Sequence, residues 1–121
     1  MITRLNAVTH KDLPGIQMFL IDPGNLPEGL PQRLLVQMAP GSRIPTHRHT
    51  VDATMDVFGG TATVVSDDAD NGVEVVSGNR VHFPAHRPHG FNAGPEGFTF
   101  LSTNGVIVGP AGEWNMEFAT P

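Results

Sequence analysis

Nowhere in the chain do apolar residues recur at helical spacing over three turns; short β-branched runs bounded by Gly, Pro, Asn and Asp recur instead throughout. Such a pattern leaves few ways to fold, because short strands bury their apolar faces only by pairing into sheets that pack against another layer. The 14 glycines and 11 prolines among 121 residues add turns at short intervals. The expected class is all-β. Strands are predicted near residues 15–22, 32–39, 44–50, 54–58, 61–66, 73–76, 80–84, 90–93, 98–103 and 106–108.

The length suits one hydrophobic core and not two, so a single domain over residues 1–121 is expected. Within it, TATVVSDDADNGVEVVSG reads as a hairpin, two valine-rich strands joined by residues that tolerate turn conformations, with an exposed tip. The prolines of DPGNLPEGLPQ remove backbone donors and its glycines add unusual dihedrals, which makes this segment a loop, a rim or lid over the mouth of a barrel. The tail AGEWNMEFATP carries the only Trp. It is expected to pack as a final strand or arm on the outside of the barrel or on a partner chain, or as a satellite patch of core.

Composition removes several function classes. A net charge of −5 provides no positive field to capture nucleic acid phosphates or an acidic membrane surface. No apolar run approaches the ~20 residues that cross a bilayer, and the start MITRLNAVTHKD lacks the apolar stretch of a signal peptide, so a cytoplasmic location is expected. The lack of cysteine excludes disulfides, zinc fingers and thiol catalysis, and the lack of tyrosine removes another proton donor. Six histidines stand out against that background, five of them between residues 47 and 89: His47, His49, His82, His86 and His89.

In PTHRHT, His47 and His49 lie two residues apart in a predicted strand, where alternate side chains share a face. Both imidazoles then face one way and Arg48 the other. Two imidazoles hold a divalent ion weakly, so a third donor is needed. In HFPAHRPHGFN, Val81 and Phe83 read as the buried side of their strand, which puts His82 on the opposite face. His86 falls in the turn between Pro84 and Pro88 as a candidate pocket residue, and His89, where the next strand begins, is the expected third ligand. Asp52, Asp56 and His86 are the candidate acid–base groups, and either carboxylate becomes a ligand if its strand is shifted or bulged. Asp67, Asp68 and Asp70 lack the spacing of a calcium loop and read as a solvated turn. Met18, Met38, Met55, Phe98 and Phe100 read as core or pocket wall, and Phe58 and Phe91 as cavity lining.

GSRIPTHRHTVDATMDVFGG resembles the first motif of the cupin family: Gly, five residues, His-x-His, three or four residues, Glu, six residues, Gly. Gly41, His47, His49 and Gly60 fall on it without a gap. GNRVHFPAHRPHGFNAG is similar to the second motif, Gly, five residues, Pro-x-Gly, two residues, His, three residues, Asn, with Gly78, Pro84 and His89 matching. The resemblance spans residues 41–94 and implies a single jelly-roll barrel whose histidines meet inside around one divalent metal ion, Fe, Mn, Zn or Ni. Three positions depart from the pattern. The glutamate ligand falls on Ala53, or on Thr54 with the longer spacing; His86 replaces the glycine of the Pro-x-Gly turn; and Asn92 stands one place early. Three neutral imidazoles leave the ion's charge uncompensated, so such a site should attract an anionic ligand.

The resulting expectation is a metal-dependent enzyme acting on a small organic molecule, with an Fe(II) dioxygenase ahead of a non-redox lyase, isomerase, cyclase or dehydratase, and a metabolite- or metal-binding module as a third class. A barrel that has lost its metal and keeps the histidines for hydrogen bonding or proton transfer is the bland alternative. Because barrels of this family often pair through their sheets, a homodimer is expected.

Overall fold

The structure, a computed structural model, describes residues 1–21 and 30–119, and among these there is no helix. No helix long and apolar enough to cross a membrane is therefore found among them. Most of the predicted loop over 22–32 lies outside the described residues.

Among the described residues nine strands form one continuous antiparallel sheet: β1 (Asn6–Val8), β2 (Ile16–Leu20), β3 (Gln32–Met38), β4 (Arg43–Arg48), β5 (Ala53–Ser66), β6 (Glu74–Val76), β7 (Arg80–Phe83), β8 (His89–Asn104) and β9 (Glu117–Phe118). β8 organises the sheet. It pairs with β5 along most of its length, while its other edge takes β4 near the start and β3 over Phe98–Asn104. Strands that share one long partner in this way curl around a common interior. Alternation fills it: Leu34, Val36 and Met38 of β3 point inward, as do Met55 and Val57 of β5 and Phe98 and Phe100 of β8.

Several strands differ from their predicted limits. Residues 54–58 and 61–66 belong to one strand, β5, and 90–93 and 98–103 to another, β8, because their glycines act as bulges within strands rather than as breaks. The pairing of β5 with β8 shifts register between Val57 and Gly59 and again between Gly60 and Ala62. Gly60 has a φ of 69°, and a Cβ there would run into the Gly97 carbonyl, so this turn of the strand accepts only glycine. Alternation also corrects Phe58: with Val57 facing inward, Phe58 faces out and is 64% exposed, not lining a cavity.

Residues 106–108 form no strand of their own beyond an isolated bridge between Val108 and Trp114. Their backbone is held instead by one side chain, Gln32, which accepts from the Ile107 and Val108 amides at 3.0 Å and donates to the Val108 carbonyl at 2.9 Å. The predicted hairpin is present as β5 and β6, with Thr61 opposite Val76. Within its turn, Asp68 accepts from the Ser66 hydroxyl and the Asp70 amide, and from Arg87 outside it, just before β8. The tail folds back along β4, pairing Phe118 with His47 and Glu117 with Arg48.

Candidate metal centre

β4 carries His47 inward through a local irregularity. Its pairing with β8 slips between Ile44 and His47, so two residues three apart both point into the core. Gly90 permits the close crossing, since a Cβ there would meet the Ile44 carbonyl. His49 lies one residue past the end of β4 and keeps the same parity, while Arg48 between them turns outward to an ion pair with Glu117 at 2.8 Å. His89 opens β8 directly opposite His47. All three rings are buried, and their potential ligand atoms lie within 4.8 Å of one another.

Each ring is oriented through Nδ1. His47 donates to the Pro45 carbonyl at 2.8 Å, His89 donates to the Arg87 carbonyl at 2.9 Å, and His49 donates to the Asn115 carbonyl. A carbonyl can only accept, so these contacts place the proton of each neutral ring on Nδ1 and leave Nε2 as a bare lone pair. Nε2 of His47 then faces Nε2 of His49 at 3.2 Å with no proton between them, and Nε2 of His89 is buried with no partner among the described residues. Such a cluster is unfavourable unless a cation occupies it.

A proton is a poor candidate. Burial, followed by the charge of His89, holds His47 down at about 3; burial holds His89 down at about 4 and lowers His49 as well. A divalent metal ion fits the His47–His49 pair better, because two nitrogens each ~2.1 Å from one ion sit about 3.0–3.4 Å apart and these two are 3.2 Å apart. Phe83 stacks on His89 with ring centroids 4.1 Å apart and planes within 7°, which fixes the third ring further.

The other sequence candidates stand elsewhere. Asp56 is on the outer side of β5 in an ion pair with Arg80, and Asp52 is exposed, accepting from the Ala85 amide at 2.8 Å. Neither joins the imidazoles; among the described residues the ligand cluster holds histidines only. Ala53, at the position of the missing glutamate, faces the core, whereas Thr54 bonds on the outer side to His82, which is exposed as its parity requires. His86 is exposed too, with a φ of 68° that is costly for a residue bearing a Cβ and free for the glycine it replaces. Its amide donates to the His49 carbonyl at 2.7 Å, tying the turn before β8 to the end of β4.

Several groups at the site escaped the sequence reading. The orienting carbonyls belong to Pro45, Arg87 and Asn115, and a carbonyl leaves no mark on sequence. Asn115 exchanges two further bonds with Thr50, so the tail braces the second histidine. His10 packs edge-on against Trp114 and Phe118, with Phe118 in turn beside His47. Ser102 reaches an apolar cavity of about 50 Å³ that His47 and His49 share with Met18, Ile44, Met55 and Phe91. His47 also borders an outer groove of about 300 Å³, between Pro88 and Phe118.

A family model described as a cupin domain matches residues 34–104. Comparison with curated proteins gives no match. Among solved structures, a sugar phosphate isomerase of a cupin superfamily from Silicibacter pomeroyi aligns at 22% identity over 86% of this chain and 73% of that one, with a TM-score of 0.70. A polyketide cyclase from Streptomyces resistomycificus aligns at 20% identity over 86% and 78%, TM-score 0.67. A point mutant of Bacillus subtilis oxalate decarboxylase aligns at 23% identity over 83% of this chain and only 27% of its own, TM-score 0.69. At these identities the likeness establishes the fold alone, an all-β jelly roll.

Proposed function

Since the chain belongs to the cupin family, matched over more than half its length, we propose that it is a metal-dependent enzyme acting on a small organic molecule, with oxidation of an enolate, diketone or phenol by dioxygen on ferrous iron as the first reading. One observation carries the proposal: three buried imidazoles direct unprotonated Nε2 atoms at one another while each Nδ1 is committed to a backbone carbonyl. His47, His49 and His89 would hold the ion, which supplies Lewis acidity and, as iron, redox capacity.

The remaining chemistry belongs to the chain. The carbonyls of Pro45, Arg87 and Asn115 keep the rings in the ligating tautomer. The apolar wall of Met18, Ile44, Met55 and Phe91 keeps water out and strengthens electrostatic attraction within the cavity. With no carboxylate beside the imidazoles among the described residues, an anionic oxygen of the substrate supplies the compensating charge. The cavity of about 50 Å³ suits a diatomic gas or a small functional group, since a water molecule takes up ~30 Å³ in the liquid.

A second reading has its own support. Cyclase and isomerase activities appear in the names of two structural neighbours, which favours non-redox chemistry with the ion as a Lewis acid. Protein loaded separately with Fe, Mn and Zn and offered a panel of diketones and phenols separates the two. Oxygen uptake with iron only, abolished under argon, is expected. Equal turnover with zinc overturns the oxygenase reading in favour of the second, and failure to take up any of the three metals overturns both.

A further inference from the structure

Two carboxamides face the interior directly across from each other, Gln32 on β3 and Asn104 on β8. Gln32 has both ends of its amide bonded to the 107–108 backbone. Asn104 does not. Its Oδ1 accepts from the Ser102 hydroxyl at 2.8 Å, while its Nδ2, in a residue 3% exposed, has no partner among the described residues. Exchanging the two ends of the amide would not help, since the oxygen would then be the orphan. A buried N–H left unpaired bears the full cost of its lost hydration, so an unpaired amide marks a place where something else accepts.

Its surroundings indicate what accepts. Ser102, which holds the amide, lines the cavity shared with His47 and His49. On its other flank Asn104 lies beside Ala53, Ala53 lies beside Phe83, and Phe83 stacks on His89. Asn104 is thus joined to the cavity through Ser102 and stands two strands from Phe83, whose ring covers the third histidine. Building on the metal reading above, we infer that Ser102 and Asn104 form the polar corner of the substrate site, with Asn104 Nδ2 donating to the second oxygen of a compact carboxylate or enolate whose first oxygen is on the ion. Nδ2 offers only donors, which selects an acceptor; the ion, ringed by neutral ligands, selects a negative one; and the cavity selects a small one. Asn104 is a specificity-determining residue, Ser102 the residue that positions it.

Cobalt-loaded protein, read by visible absorption, tests this with two probes: formate, which has a second oxygen, and chloride, which has none. Asn104→Ala is expected to weaken formate about ten- to a hundredfold, the range of one hydrogen bond to a charged group, and to leave chloride within twofold. Ser102→Ala, which removes the positioning bond only, should weaken formate about two- to fivefold and serves if the first variant does not fold. Unchanged formate affinity, or equal loss of both anions, overturns the inference while cobalt uptake leaves the metal reading standing. A wild-type protein that takes up no cobalt overturns the metal reading itself, and this inference with it.

Discussion

Gln32 and the three histidines are both buried polar clusters in one barrel, and they resolve burial in opposite ways. Gln32 converts every polar atom of its amide into a bond to the chain and clamps residues 107–108 in place of a strand. The histidines use half of each ring in the same manner, Nδ1 to a carbonyl, and aim the other half at one another. Burial that closes on itself supports the fold. Burial that leaves lone pairs converging needs a guest.

The sharpest way to break this contrast is at the histidines. His89→Ala should reduce metal content from near one equivalent to near zero by elemental analysis; full occupancy in that variant would remove His89 from the site. At the other cluster, Gln32→Leu leaves two amides and a carbonyl without partners and should lower stability by about 3–5 kcal/mol in chemical denaturation, with metal content retained. Loss of metal in Gln32→Leu would mean that the two clusters are coupled.

Acid distinguishes them as well. Unfolded histidines take up protons near pH 6.5, but folded His89 does so only at about 4 and folded His47 at about 3. Between these values the unfolded chain binds more protons, so the metal-free protein loses stability as pH falls from 6.5 towards 4 and then 3. The decline in thermal midpoint should begin above the carboxylate range; a flat midpoint down to about pH 5 would contradict the burial of neutral rings. His86→Gly releases the positive φ without touching a ligand and should raise stability by about 0.5–1 kcal/mol at constant metal content. The smallest effect belongs to Asp56→Asn, an exposed ion pair, which should shift stability by less than about 1 kcal/mol and leave metal content unaltered.

What could be read in the sequence followed from alternation. A two-residue period suffices to put His47 and His49 on one face, Arg48 on the other and His82 outside, and the structure places all four so. Where alternation is interrupted, sequence said less. Glycines at 59, 60, 94 and 97 suggested strand ends but lie within β5 and β8, because a bulge and a break share the same residue. Phe58 reads as cavity lining from the pattern of the segment, yet the parity set by Val57 turns it outward. Asp52 and Asp56 would have needed a slipped register to reach the imidazoles, and β5 slips only after Val57. The carbonyls of Pro45 and Arg87 lie only two residues before their histidines, but a backbone acceptor is independent of residue type and alternation does not reveal it; the carbonyl of Asn115 comes from 66 positions away, which no local pattern encodes.

The bond from His49 to Asn115 spans 66 positions of sequence. The second imidazole is therefore held only where residues 113–119 lie along β4, so the site takes its final shape with the docking of that tail. Metal added to a refolding chain before and after that moment should meet two different proteins: first an open pair of histidines, then a finished enclosure from which release is slow.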